Sequence, residues 1–133
     1  MLNIPSRMTR LLTMIYRYKV NKLPPSNNKF IGRNARWQYQ AVKKEWSELI
    51  RYSCRPIPKH PINKAVVQIT YYFPTRIRHD PDNYSGKMIL DGLTAARIIV
   101  DDSFDHISLF LRANVDKKNP RTEIEITEVD EIV

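Results

Sequence analysis

Asp80 and Asp82 stand one residue apart in the segment Arg78-His-Asp-Pro-Asp-Asn83, and a second acidic pair, Asp101 and Asp102, follows some 20 residues later. Pro81 biases the residue before it toward extended backbone. In an extended chain residues i and i+2 project the same way, so the first two carboxylates are expected to face one point. A strand-helix-strand unit between the pairs would bring its end back to the edge where it began, placing one of Asp101 and Asp102 in the same pocket. Carboxylates gathered this closely repel unless a cation compensates. An all-oxygen donor set favours a hard divalent ion, Mg²⁺ or Mn²⁺. Such an ion polarises a phosphodiester and lowers the pKa of an attacking water. Lys87, expected near the start of the intervening helix, is positioned to offset negative charge growing on a reacting phosphate. The plainer interpretation of Asp80 and Asp82 is a turn with a helix cap. For Asp91, four residues after Lys87, it is an i,i+4 ion pair.

The elements that must hold these residues follow from periodicity. Leu11–Tyr18 reads as a strand, and the Leu23-Pro-Pro-Ser-Asn-Asn28 stretch after it as a loop. Asn34 is a fair N-cap for a helix over 35–52, with Tyr39, Val42, Trp46, Leu49 and Ile50 on its apolar face. Those aromatics are assigned to the core rather than to base stacking. Ala65–Phe73 alternates at period two and is the clearest strand, ended by Pro74. Residues 84–98 read as a second helix, with Ile89, Leu93 and Ala96 on one stripe. Ile107 to Val115 alternates as a third strand, and Glu123–Val129 as a fourth. The order β-α-β-α-β-β predicts an α/β (α+β) fold, a mixed four-stranded sheet packed with two helices. The 133 residues fit one domain over 1–133, with residues 1–10 as a flexible arm.

Composition narrows the function. No apolar run nears the roughly 20 residues of a membrane span, and the N-terminus lacks a signal peptide's pattern, so a cytoplasmic protein is expected. Cys54, the single cysteine, makes no internal disulfide and no cysteine-rich zinc site. The charge of +8 is uneven: residues 1–64 carry +12 and residues 65–133 carry −4. A basic half suits a polyanion such as nucleic acid, and an acidic half suits a cation. Arg76, Arg78 and His79 beside the acids, with Lys43, Lys44, Lys117, Lys118 and Arg121, are candidate DNA contacts; a solvated surface is the alternative for each.

Taken in order, the motifs Asp80-Pro-Asp-Asn83, Lys87, Asp91-Gly-Leu93 and Asp101-Asp-Ser103 resemble the signature of the RusA family of Holliday junction resolvases: D-x-D-N, a lysine, D-[AG]-L, then D-D-[SA]. The Leu23-Pro-Pro-Ser-Asn-Asn28 opening and the basic turn before Glu123-Ile-Glu-Ile126 are similar to that family as well, so the likeness runs over roughly residues 20–129. It implies a RusA-like fold and a homodimeric, Mg²⁺-dependent endonuclease that nicks four-way DNA junctions in recombination and repair. It also implies a bacterial or phage origin. Asp80, Asp82 and Asp102 match the family's metal-binding carboxylates, and Lys87 its catalytic lysine. Asp91 and Asp101 are secondary positions. This chain departs from the family by one extra residue in Tyr84-Ser85-Gly86 before Lys87, which Gly86 could absorb in a loop.

Other chemistries fit less well. A calcium loop starting at Asp80 would need an oxygen ligand, Gly and Glu where Tyr84, Ser85 and Asp91 stand. A zinc hydrolase built on His79 and His106 lacks ligand spacing. The remaining alternatives are a nuclease acting on other branched DNA and a non-catalytic junction-binding module.

Overall fold

The sheet is built around its most regular strand. In the computed structural model, which describes residues 14–132, β2 (Ala65–Phe73) buries every odd residue and leaves every even one half-covered. It is flanked by β4 (Arg121–Glu128), antiparallel, and β3 (Ile107–Val115), parallel. β1 (Ile15–Val20) pairs antiparallel with β4, giving the order β1-β4-β2-β3. The protein is therefore a mixed α/β fold of β-α-β-α-β-β order, as the sequence predicts. The expected arm, 1–10, and the start of the first strand, 11–13, lie outside the described residues. Among the described residues no helix is long and apolar enough to cross a membrane.

Helix α1 (Ala35–Ser53) and helix α2 (Lys87–Ala95) complete the core. Trp46 and Ile50 of α1, Ile89 and Leu93 of α2, and Val67, Ile69, Ile124 and Ile126 of the sheet join one buried cluster. Tyr39, Val42 and Leu49 pack at its border, which bears out their assignment as core. Burial of these side chains, each worth about 1.5–3 kcal/mol, is what fixes both helices against the sheet. The helices approach closely because Gly92 lies against Ile50: a Cβ there would fall 2.9 Å from Ile50 Cγ1.

Three local expectations change. Asn34 precedes α1, but its side chain makes no capping hydrogen bond, since its φ of −102° and ψ of 14° depart from the extended cap geometry. Helix α2 is shorter than 84–98 at both ends. Gly86, at φ +81°, adopts left-handed backbone and starts it late. Arg97, at φ +63°, turns the chain left-handed and stops it, with the Ile98 amide donating back to the Leu93 carbonyl at 3.0 Å. The third concerns β3, which forms over Ile107–Val115 as expected but whose alternating apolar residues do not share one buried face. As an edge strand it buries Ile107 and half-buries Leu111, but exposes Leu109, Phe110 and Val115.

Candidate active site

Parallel pairing of β2 and β3 requires a crossover, and α2 is that crossover. The connection carries Asp80 and Asp82 before the helix, Lys87 and Asp91 on its first turns, and Asp101 and Asp102 after it. The return brings Asp102 to the start of α2. Lys87 Nζ donates to Asp91 Oδ1 at 3.1 Å and lies 3.7 Å from Asp102 Oδ2. Lys43 of α1 reaches the other Asp91 oxygen, Oδ2, at 3.5 Å. One lysine ammonium thus stands between two carboxylates that are 11 residues apart in sequence. The hydrogen bond and the charge of Asp91 raise the Lys87 pKa, and Asp102 adds to the effect.

The first acidic pair is arranged differently from expectation. Asp80 has extended backbone, φ −106° and ψ 140°, but Pro81–Asn83 forms a 3₁₀ turn. Each step of such a turn rotates the chain by about a third of a revolution, so the alternation that would aim Asp80 and Asp82 at one point is lost. Pro81 allows this because its fixed φ suits the first position of a helical turn. Neither does the Asp80 carboxylate cap that turn; its Oδ1 accepts from Arg78 Nε at 3.1 Å. The turn is tied to the Pro-Pro loop by Asn27, whose Nδ2 donates to the Asp82 carbonyl at 3.0 Å. Asn27, Pro24 and Pro25 then line a small cleft with Asn83, Gly86 and Lys87. Sequence reasoning names Asn27 only within the Leu23–Asn28 opening and gives it no role of its own; that segment is the signal that was available, and the contact with Asp82 appears only in the folded chain.

Asp101 is partly exposed and is held by its own neighbours in the chain. The Asp102 amide and the Ser103 hydroxyl stabilise its carboxylate and lower its pKa. Of the basic candidates, Arg76, Lys44, Lys117 and Lys118 are exposed or partly exposed and make no ion pair among the described residues. His79 is stacked on Phe73 with ring centroids 3.7 Å apart and edge-on to Tyr84, an aromatic cluster that anchors the segment leading to Asp80. Arg121, expected to touch phosphate, is held internally. It donates to Asp116 and Glu123, both at 2.7 Å, and lies 3.8 Å over the Tyr72 ring.

The donors suit a hard divalent cation in kind. All are carboxylates, and Asp91 Oδ2 is buried without a hydrogen-bond donor, its cation contact being the longer one to Lys43. Among the described residues, however, no three Asp, Glu, His or Cys side chains converge as a formed metal-binding group. Asp80, Asp82 and Asp102 are carried on one crossover, with Lys87 joining Asp102 to Asp91.

Fold and site together define a mixed α/β domain with an acidic crossover organised about a lysine. No protein-family model matches the sequence, and no curated protein matches it.

Proposed function

We propose that this chain is a metal-dependent endodeoxyribonuclease that resolves four-way DNA junctions, a hydrolase of recombination and repair. The observation that carries the reading is Lys87, held between Asp91 and Asp102 at the end of the crossover where Asp80-Pro-Asp-Asn83 enters. A polar site of this kind suits phosphodiester hydrolysis, in which water forms a bond to phosphorus as one P–O bond breaks and the leaving oxygen takes a proton. Asp80, Asp82 and Asp102 do not converge among the described residues, and to hold Mg²⁺, or Mn²⁺ in its place, they would have to close on one point. Bound there, the ion would supply Lewis-acid polarisation of the phosphate and a more acidic water. Lys87 offsets charge on the phosphate oxygens as they become more negative, while Asp91 orients its ammonium. Tyr84 and His79, packed on Phe73, fix the approach of the acidic turn.

Two cuts in a two-fold symmetric junction call for two sites related by the same symmetry, hence a homodimer. The unpaired edge of β3, with Leu109, Phe110 and Val115 exposed, offers a second copy apolar surface. The test is a synthetic four-way junction incubated with and without Mg²⁺ beside linear duplex. Paired nicks in the junction alone, abolished by Asp82→Asn with binding retained, are expected. Cleavage of duplex and junction alike would point to a less selective nuclease. Absence of cleavage with Mg²⁺ and Mn²⁺ would refute the reading. A second reading, a non-catalytic junction-binding module, is favoured by one observation: Lys43 and Lys87 together already offset Asp91 and Asp102. It requires junction binding that Asp82→Asn leaves intact and no cut by the wild type.

A further inference from the structure

At the opposite end of α2 from Lys87 lies a larger cleft, of about 720 Å³, that the proposed chemistry does not use. Three arginines line it: Arg51 from the last turns of α1, Arg55 just beyond, and Arg97 just past α2. Ala95, Ala96 and Ile57 form its apolar walls. Among the described residues no carboxylate lines it, and none of the three guanidiniums makes an ion pair. All three residues are exposed.

Arginines at helix C-termini have an ordinary explanation, since the last carbonyls carry partial negative charge. Arg55 Nε does approach the Arg51 carbonyl, at a long 3.4 Å. The magnitudes leave that explanation incomplete. Two helix ends supply about half a negative charge each, against three full positive charges, so the cleft keeps roughly two units of uncompensated charge. Arg97 points the same way. Its φ of +63° is left-handed backbone, where glycine is the usual residue. An arginine there is strained, and its side chain gives the cleft its third guanidinium.

We propose that the Arg51, Arg55 and Arg97 cleft is a phosphate-binding site for the DNA backbone, separate from the acidic site. That the phosphates belong to DNA rests on the endonuclease reading. Planar guanidiniums suit phosphate oxygens, which they bind through paired N–H donors. Ten residues separate Lys87 from Arg97. At helical rise they span about 15 Å, or roughly four base-pair steps of one strand. The cleft would therefore hold a junction arm a few nucleotides from the phosphate being cut.

The experiment is fluorescence anisotropy of a labelled four-way junction without metal, across a salt series, for the wild type, Arg51→Gln, Arg55→Gln and Arg97→Gly. Lys19→Gln, on the exposed side of β1, is the control. Each arginine variant is expected to bind roughly tenfold more weakly at low salt and to lose about one unit from the slope of log K against log salt. Arg97→Gly carries a second readout. Glycine suits the backbone there, so its Tm should hold or rise while its affinity falls. Wild-type slopes and affinities in all three variants would overturn the proposal, as would losses that appear only with a lowered Tm or equally in Lys19→Gln. The same junction with Mg²⁺ separates the two ideas. Binding through the cleft without cleavage would sink the endonuclease reading and leave the cleft standing. Cleavage with unaltered binding in the variants would do the reverse, and a wild type that binds no DNA would sink both.

Discussion

Replacing Gly92 with alanine sets two opposed effects against each other at the contact that joins the helices. In an exposed helix the change stabilises by roughly 1 kcal/mol, because glycine loses more backbone freedom on folding. Here the added methyl would lie 2.9 Å from Ile50 Cγ1 and 3.1 Å from Ile50 Cβ. Those atoms adjoin the α1 backbone, and Ile50 is fully buried, so neither can swing aside. Overpacking of this kind costs about 1–3 kcal/mol, and its upper half applies where nothing yields. The net expectation is a loss of about 1–2 kcal/mol, or roughly 3–8 °C in Tm for a chain of this size. Thermal unfolding followed by circular dichroism tests it, in the wild type and in Ile50→Ala. The latter alone costs about 2–5 kcal/mol and removes Cγ1, the closer of the two atoms, while leaving Cβ in place. In that background only the 3.1 Å contact opposes the helix benefit, so the loss should shrink. A higher Tm for Gly92→Ala in the wild type, or equal losses in both backgrounds, would refute the packing argument. Separated helices would also lengthen the Lys43–Asp91 contact, so under the proposed endonuclease function the variant should cut junctions more slowly.

Three further outcomes are expected. Burial pushes the Cys54 thiol up to about 12 from its ordinary 9.0; the folded value being the higher, its contribution is complete below pH 9 and declines as pH rises toward 12. Stability of the wild type should therefore fall more steeply than that of Cys54→Ala over that window, and a thiol reagent should label the native protein only as fast as it opens. Asp91→Asn removes the charge that helps raise the Lys87 pKa and leaves only a neutral amide oxygen to accept from its ammonium, so an NMR titration should show the pKa drop toward the ordinary 10.5. Because the Lys87 shift is upward, its share of stability is present at neutral pH and lost only as pH rises through the raised value. Arg121 holds the Asp116 carboxylate below its usual range; that contribution exists above pH 3.8 and disappears as pH falls through the lowered value, so Arg121→Ala should lower Tm and flatten the acid limb of stability while leaving junction binding near wild type.

How much of this was legible in the sequence depends on how local each cause is. Ala65–Phe73 declares itself because a half-buried strand imposes strict alternation. The helix over 35–52 does so because Trp46, Leu49 and Ile50 must share a face. Residues 84–86 were misassigned because their apolar neighbours continue a helical stripe, while Gly86's left-handed backbone depends on a close approach to Ile69, 2.8 Å from where its Cβ would be. Asp80 and Asp82 were legible as an acidic pair but not in their direction, since Pro81 is compatible with both an extended link and a helical turn. The pairing of Lys87 with Asp91 follows from spacing. That of Lys43 with Asp91 needs two helices packed across Gly92, which no local pattern announces. Arg121 looked like a surface cation until Tyr72, Asp116 and Glu123 enclosed it.

Under the proposed function, charge around the crossover predicts that binding and chemistry separate. Asp80, Asp82, Asp91 and Asp102 oppose Arg78, Lys43 and Lys87, leaving about one uncompensated negative charge. A phosphate brought to that end meets net repulsion unless a further cation joins the carboxylates. At the other end of α2, three arginines that make no ion pair among the described residues would attract the same polymer. Affinity should then depend steeply on salt and weakly on divalent metal, while cleavage depends on the metal. Binding of the uncut junction that collapses on chelation at constant ionic strength would contradict this division.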